Sequence, residues 1–234
     1  MVTYRSHLIA REGWLIIALV IVIAVAMHLS MNDFIALPFW VAAVVLGILF
    51  RDPKRVVPPK PLAIVSPVDG QITAINTIKD PYTQADATLI QLQKGAFDVI
   101  STRSPMEGKV VKQWFKPLGQ EAVEELSGRH EGNLDVIVVP QPASPDSALS
   151  KVCFAQWIQS DEQDNVVMVV NSENIVFKPH CYAHSGERIG QGQRCGFVLF
   201  NASVQVRIPV NSRVEVKIGD HVRGGSDTLA TLVH

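Results

Sequence analysis

The stretch Gly196-Phe-Val-Leu-Phe-Asn-Ala-Ser-Val-Gln-Val-Arg-Ile-Pro209 decides how the C-terminal part of this chain can fold. In its second half, Val204, Val206 and Ile208 alternate with polar residues, which predicts a strand with one buried face. At residues 200–203 the alternation breaks at small and polar side chains, which is typical of a bent strand or of a backbone that approaches a neighbour closely. We therefore expect a core strand that begins at an unusual turn.

The chain from residue 62 to residue 234 has the same β-like character as this stretch. Short runs of β character alternate with glycine and proline, and helical periodicity is weak. We predict a mainly β (α+β) domain of sandwich or barrel type. Its proline, turn and strand pieces at Ser66–Ile72, Ser104–Val110 and Ile208–Val214 resemble the barrel-sandwich hybrid folds of biotinyl and lipoyl carriers. No lysine occupies a hairpin tip of the carrier kind, so the sequence does not favour a carrier role.

The first 50 residues contain two long apolar runs. We predict helices at about 14–30 and 34–50 that form a transmembrane hairpin, followed by an extended, proline-rich linker at 51–61. Lysine and arginine flank the hairpin on both sides and are missing from the loop between the runs. By the positive-inside rule, both ends of the hairpin and the domain at 62–234 are expected in the cytoplasm.

Composition removes several classes of function. The net charge is -1, so no bulk basic field favours nucleic acid as a partner. Cys153, Cys181 and Cys195 are odd in number and lack a C-x-x-C spacing, which disfavours a disulfide framework and a zinc site. His180 and His184 are four residues apart, but the segment is flanked by proline and offers no further ligand, so we predict no metal site.

Segments along nearly the whole chain resemble the short, membrane-bound bacterial phosphatidylserine decarboxylases, in the same order. They are Ala10-Arg-Glu-Gly-Trp14, Phe50-Arg-Asp-Pro-Lys-Arg-Val-Val-Pro58, Ile64-Val-Ser-Pro-Val-Asp-Gly70, Asp98-Val with Arg103-Ser-Pro105, Gly108-Lys-Val110, Gly186-Glu-Arg-Ile-Gly190, the stretch 196–209 and Lys217-Ile-Gly-Asp-His-Val222. The resemblance implies a location at the bacterial inner (cytoplasmic) membrane and a part in making phosphatidylethanolamine.

The family makes its own cofactor. A serine hydroxyl attacks the carbonyl of the preceding glycine, and elimination from the resulting ester leaves a pyruvoyl group that serves as the electron sink for decarboxylation. An aspartate and a histidine activate the serine. By the resemblance, the aspartate corresponds to Asp69, the histidine to Ile100, the glycine to Asn201 and the serine to Ala202. Three of these four positions therefore carry the wrong side chain for the reaction.

These substitutions predict a homologue that does not cleave itself and carries no cofactor. Asparagine readily adopts the left-handed backbone that glycine would take, so Asn201 can keep the turn while Ala202 deletes the hydroxyl. Such a protein would retain at most headgroup binding or a regulatory role. Its expected partners are a phospholipid membrane, an anionic phospholipid headgroup, and a second copy or an active paralogue.

Two alternatives remain open at the level of the sequence. The chain could be an active decarboxylase that forms a pyruvoyl group at Ser203, next to the degenerate pair, or at Ser226 in the literal Gly225-Ser226 pair. It could instead be a membrane-tethered structural or adaptor module. Self-cleavage would distinguish the active decarboxylase from the other two hypotheses. Headgroup binding would distinguish the non-cleaving homologue from the adaptor module.

Overall fold

The computed structural model describes residues 9–10, 13–30, 33–60, 62–116, 123–124, 152–172, 179–199 and 201–233. The chain divides into two compact units. The smaller comprises residues 5–54 and 97–100, and the larger comprises residues 1–4, 55–96 and 101–234. Each unit is described by itself.

Two helices dominate the smaller unit. Helix α1 spans Trp14–Ser30 and helix α2 spans Asp33–Leu49. Both consist almost entirely of apolar residues, and they pack against each other. The backbone N–H of Ala10 donates to the carbonyl of Phe50 at 2.7 Å, which ties the start of α1 to the end of α2.

The prediction of a transmembrane hairpin is wrong. Each helix has 17 residues, and none of the helices in the described part of the chain is long and apolar enough to cross a membrane. At 1.5 Å per residue, such a helix measures about 26 Å, which is less than the roughly 30 Å of a hydrocarbon core. Each helix is thus shorter than the roughly 20 residues that a membrane span requires.

The larger unit is built from strands, numbered in chain order among the described residues. They are β1 Ala63–Val65, β2 Gly70–Lys79, β3 Asp86–Gln93, β4 Ser101–Arg103, β5 Gly108–Lys116, β6 Val123–Glu124, β7 Val152–Gln159, β8 Asn165–Ser172, β9 His180–Cys181, β10 Arg188–Ile189, β11 Arg194–Phe197, β12 Ser203–Pro209, β13 Arg213–Val214, β14 His221–Val222 and β15 Thr228–Thr231.

Three antiparallel sheets result from these strands. The main sheet has the order β10-β5-β7-β8-β12-β3-β2-β14, with β6 paired to β5. The two small sheets have the orders β1-β15-β13 and β4-β11-β9. Strand β12 is central because it pairs with both β8 and β3 over most of its length.

The alternation predicted for β12 is present. Val204, Val206 and Ile208 face the main hydrophobic core, where they meet apolar residues of β3 and β8 such as Ile90 and Met168. The polar residues between them lie on the opposite face of the sheet. A smaller apolar cluster covers that face; it contains Trp114, Ala155, Val167 and Val169, with Tyr82 and Trp157 at its edge.

Two of the repeated sequence pieces adopt the same turn and bond to each other. The Ser66 hydroxyl donates to the Val68 carbonyl at 2.6 Å, and the Ser104 hydroxyl donates to the Met106 carbonyl at 2.7 Å. The exchange between the two turns is reciprocal. The N–H of Val65 donates to the Pro105 carbonyl, and the N–H of Arg103 donates to the Pro67 carbonyl, both at 2.8 Å. The larger unit therefore contains a local pseudo-twofold arrangement.

Candidate functional site

The Asn201–Ala202 turn leads directly into β12. Asn201 has φ 58°, a left-handed backbone that asparagine tolerates better than most residues other than glycine. Ala202 is 0% exposed, and its methyl group belongs to the main core. The Ala202 carbonyl accepts a hydrogen bond of 3.0 Å from the backbone N–H of Lys94. The turn is thus held by a backbone hydrogen bond to Lys94, and it has an apolar side chain where the resemblance implies a hydroxyl.

Ser203 does not replace that hydroxyl. Because Val204 faces the core, the preceding residue of the strand faces the other side of the sheet, away from the methyl group of Ala202. The backbone of Ser203 pairs with Gln93 on one side and Asn171 on the other. Its Oγ is buried and makes no hydrogen bond to a residue that the structure describes. No general base among those residues is therefore hydrogen-bonded to it.

Asp69 lies at the start of β2, in a different hydrogen-bonded group. Its Oδ2 accepts from the Arg55 guanidinium at 2.5 Å, and its Oδ1 accepts from the backbone N–H of Gly224 at 2.7 Å. With these two partners in place, the Asp69 side chain is 14% exposed. The structure therefore brings Asp69 to the glycine turn at 224–226 through Gly224.

Asp69 and Ala202 lie at the same end of the main sheet without being neighbours. Strand β3 separates β2 from β12, so their backbones are about 10 Å apart at typical strand spacing. Lys94 fills the intervening position at the end of β3. Its N–H bonds to the Ala202 carbonyl, and a Cβ added at Gly70 would lie 3.5 Å from its Cα.

The glycine turn contains Ser226, the second alternative nucleophile. Gly225 has φ 74°, and its N–H donates to the Ser66 carbonyl at 2.7 Å. The N–H of Ser226 donates to the Arg223 carbonyl at 3.2 Å. A Cβ at Gly224 would lie 3.1 Å from the backbone of Val68, a contact tighter than usual, so a side chain at this position would require a small shift of that backbone. Ser226 thus lies in a turn held by backbone hydrogen bonds, close to the Gly224 N–H that donates to Asp69.

Two cationic residues of this region were missed by sequence reasoning. Lys94 is 1% exposed, although it directly follows the alternating strand β3, a position where a lysine is ordinarily solvated. Arg103 is also buried; its Cδ packs on Gly225, and its Nη1 donates to the Gly192 carbonyl at 3.2 Å. Arg103 occurs in the Arg103-Ser-Pro105 segment that carries the resemblance, which was the available signal for it.

The buried thiols lie on the small sheet next to Arg103. Cys181 and Cys195 are both free and buried. A hydrogen bond with Cys181, together with burial, raises the pKa of the Cys195 thiol well above its usual value, although Arg103 and Arg194 oppose the shift. A thiol of this kind is a poor nucleophile and a poor metal ligand at neutral pH. The side chain of Cys153 lies outside the described residues.

The remaining predicted positions add no ionisable group to the turn. Ile100 belongs to the smaller unit, and its apolar side chain is 2% exposed. His180 and His184 are exposed, and the His180 ring packs edge-on to Tyr182 with centroids 5.6 Å apart. Across the described ranges, no group of three or more histidine, cysteine or carboxylate side chains could hold a metal ion.

The pyruvoyl group implied by the resemblance does not fit the residues at its expected position. The group is made from a serine, and the side chain at 202 is a methyl group enclosed by core residues. A methyl group has no oxygen to attack the preceding carbonyl, so no ester can form at that bond.

Comparison with known proteins extends the resemblance to the whole chain. The family model for phosphatidylserine decarboxylase matches residues 46–230. The chain is 33% identical over 227 residues to the phosphatidylserine decarboxylase proenzyme of Nitrosomonas europaea, which covers 97% of this chain and 96% of that protein. It is 34% identical over 231 residues to the proenzyme of Burkholderia ambifaria, which covers 98% of both chains. No solved structure matches the chain. The chain belongs to the phosphatidylserine decarboxylase family.

Proposed function

We propose that this chain is a member of the phosphatidylserine decarboxylase family that does not cleave itself, and that it serves phospholipid metabolism by binding rather than by catalysis. The observation that carries the proposal is Ala202, whose methyl group lies in the hydrophobic core at the family's processing position. Without an oxygen at this site, the first bond of the processing reaction cannot form.

Two further features support this proposal. Asn201 adopts the left-handed turn without glycine, so the fold forms without the family's Gly-Ser pair at 201–202. Asp69, the one retained residue of the family's activating set, has one oxygen bound to Arg55 and the other to the backbone of Gly224. Both oxygens of this carboxylate are therefore occupied by hydrogen bonds to other parts of the larger unit.

We place the protein at the cytoplasmic face of the bacterial inner membrane. Large apolar side chains on both helices are exposed, a pattern that marks interaction surfaces. They include Trp14, Leu15, Leu19, Phe34, Leu37 and Trp40. Basic residues of the segment 51–60 would add attraction to anionic lipid, about 1 kcal/mol each near the surface. The bound headgroup would be that of phosphatidylserine, and a second copy or an active paralogue would be the regulated partner.

The intact mass of the purified, denatured chain tests the proposal. We expect one species at 25.7 kDa, unchanged by hydroxylamine, which would trap an ester or a ketone. The matched control is the triple variant Ile100→His, Asn201→Gly, Ala202→Ser, which restores the family's residues and would release residues 202–234 if the fold retains processing competence. Two fragments from the unaltered chain would refute the proposal, and the break point would identify the serine.

Lipid binding is tested by co-sedimentation with vesicles. Vesicles of phosphatidylcholine containing phosphatidylserine should retain more protein than vesicles of phosphatidylcholine alone. Equal retention would exclude headgroup recognition and favour a membrane-tethered adaptor module.

A second candidate function is self-cleavage at the Gly225–Ser226 bond by an active decarboxylase. The observation that favours it is the 2.7 Å hydrogen bond between Asp69 and the N–H of Gly224, one residue from that bond. Cleavage there would remove residues 226–234 and would be abolished by Ser226→Ala. The same mass measurement therefore decides between the two candidates.

A further inference from the structure

Two glutamine side chains lie inside the main core of the larger unit. Gln113 on β5 and Gln156 on β7 are directly paired residues, 2% and 0% exposed. Gln156 shares its face of β7 with Phe154 and Ile158, both members of the core cluster. Its carboxamide therefore lies on the core-facing side of the sheet, where an apolar residue would be expected.

The two amides differ in their hydrogen bonds. The Nε2 of Gln113 donates to the Ala183 carbonyl at 2.6 Å, which ties β5 to the segment after β9. By contrast, neither Nε2 nor Oε1 of Gln156 bonds to any residue in the described part of the chain. Sealing an amide from water without partners lowers the folding equilibrium constant by roughly tenfold or more.

We propose that Gln156, together with Gln113, binds one water molecule inside the core. A primary amide presents one N–H and its C=O side by side, so a single water can accept from Nε2 and donate to Oε1. The Gln113 amide on the neighbouring strand is within reach as a third partner, and buried waters typically make about three such bonds. A leucine or methionine would fill the same volume at position 156. The need to fill space therefore does not explain the glutamine, whereas a hydrogen bond from its amide does.

The bound water would act as a bridge within the layer that carries the candidate site. It joins Gln156 to Gln113, and Gln113 holds the Ala183 carbonyl. Ala183 follows β9, which pairs with β11, the strand that precedes the Asn201–Ala202 turn. The interior water therefore fixes the main sheet to the small sheet from which the turn emerges.

A crystal structure of the full chain, at a resolution that shows ordered solvent, tests the proposal directly. We expect one density peak within hydrogen-bond distance of both polar atoms of Gln156. A direct bond between the two carboxamides, or the absence of density beside Gln156, would overturn the proposal.

The variant Gln156→Leu provides an independent test by chemical denaturation. If the water bridge exists, the variant loses it, and the folding equilibrium constant should fall about tenfold. If the amide is dry, removal of an unsatisfied group should raise that constant, which would contradict the proposal. The control is Gln159→Leu on the same strand, where Nε2 bonds to the Asn165 side chain near the surface and the change should be smaller. If Gln156→Leu does not fold, the solvent density of the unaltered chain decides.

Discussion

The ion pair between Asp80 and Arg207 should be the most sensitive polar contact in the larger unit. The Arg207 Nη1 lies 2.7 Å from the Asp80 Oδ1, and the two side chains are 3% and 1% exposed. Arg207 also donates to the Gln205 Oε1 at 3.0 Å and stacks its guanidinium 4.9 Å from the Tyr82 ring centroid. The charge on each side is thus compensated inside a region that excludes water.

Replacing Arg207 with methionine should leave the Asp80 carboxylate buried without its counter-ion. Thr83 still donates to that carboxylate from its N–H at 3.1 Å and its hydroxyl at 2.7 Å, so part of the compensation remains. Breaking a buried pair by removing one partner costs about 3–5 kcal/mol, and the retained bonds favour the lower end of that range. We expect the free energy of unfolding to fall by about 3 kcal/mol.

The assay is urea denaturation followed by tryptophan fluorescence, with an exposed pair as the matched control. Arg188 bonds to both carboxylate oxygens of Asp161 at 2.8 and 2.9 Å, but on the surface. Arg188→Met should therefore change the midpoint little, since exposed pairs contribute little. Equal midpoint shifts for Arg207→Met and Arg188→Met would refute the argument that burial, rather than pairing itself, sets the cost.

Two further predictions concern the turn and the surface. Asn201→Gly should leave stability unchanged or slightly raised, whereas Asn201→Val should cost about 1–2 kcal/mol because φ is 58°, and thermal denaturation of both variants measures the difference. The hydrogen bond and charge of Arg188 lower the pKa of Asp161 below 3.8, so their contribution to stability is complete above that value and is lost as pH falls through the lower folded-state pKa. Because the pair is exposed, unfolding curves of the unaltered chain and of Asp161→Asn should differ only slightly at neutral pH, and that small difference should vanish in acid.

Local patterns in the sequence were sufficient for the central strand and its turn. Alternation along 204–208 predicts the buried face of β12, and the choice of asparagine at 201 predicts the left-handed turn, because both depend on neighbouring residues alone. The hairpin prediction was wrong because it rested on two apolar runs in tandem. Each helix has 17 residues, fewer than the roughly 20 that a membrane span requires, and a second helix of the same length does not lengthen the first.

The contacts of the candidate site depend on residues far apart in the chain. Asp69 was found through the resemblance, but its partner Gly224 is 155 positions away, and no local pattern joins them. Lys94 and Gln156 are polar residues, a type that is usually exposed, yet both are buried. Whether a side chain is buried depends on which strands lie beside its own. Because the strand order in this sheet differs from the sequence order, the sequence does not show those neighbours.

The pseudo-twofold arrangement gives a physical reason to prefer an intact chain over cleavage at Ser226. The N–H of Gly225 donates to the Ser66 carbonyl, and the N–H of Gly192 donates to the Ser104 carbonyl at 2.9 Å in the corresponding turn of the other half. Both glycines have positive φ, 74° and 65°, and each would bring a Cβ within 3.4 Å of the other's carbonyl oxygen.

The residue after Gly192 is Gln193, which has no hydroxyl, so the turn forms equally well without a serine. Close approach of the two turns therefore accounts for Gly225 and leaves Ser226 as an ordinary turn residue. On this reasoning Ser226→Ala should fold normally and should not change the mass pattern of the chain, because the glycine pair serves the packing of the two halves.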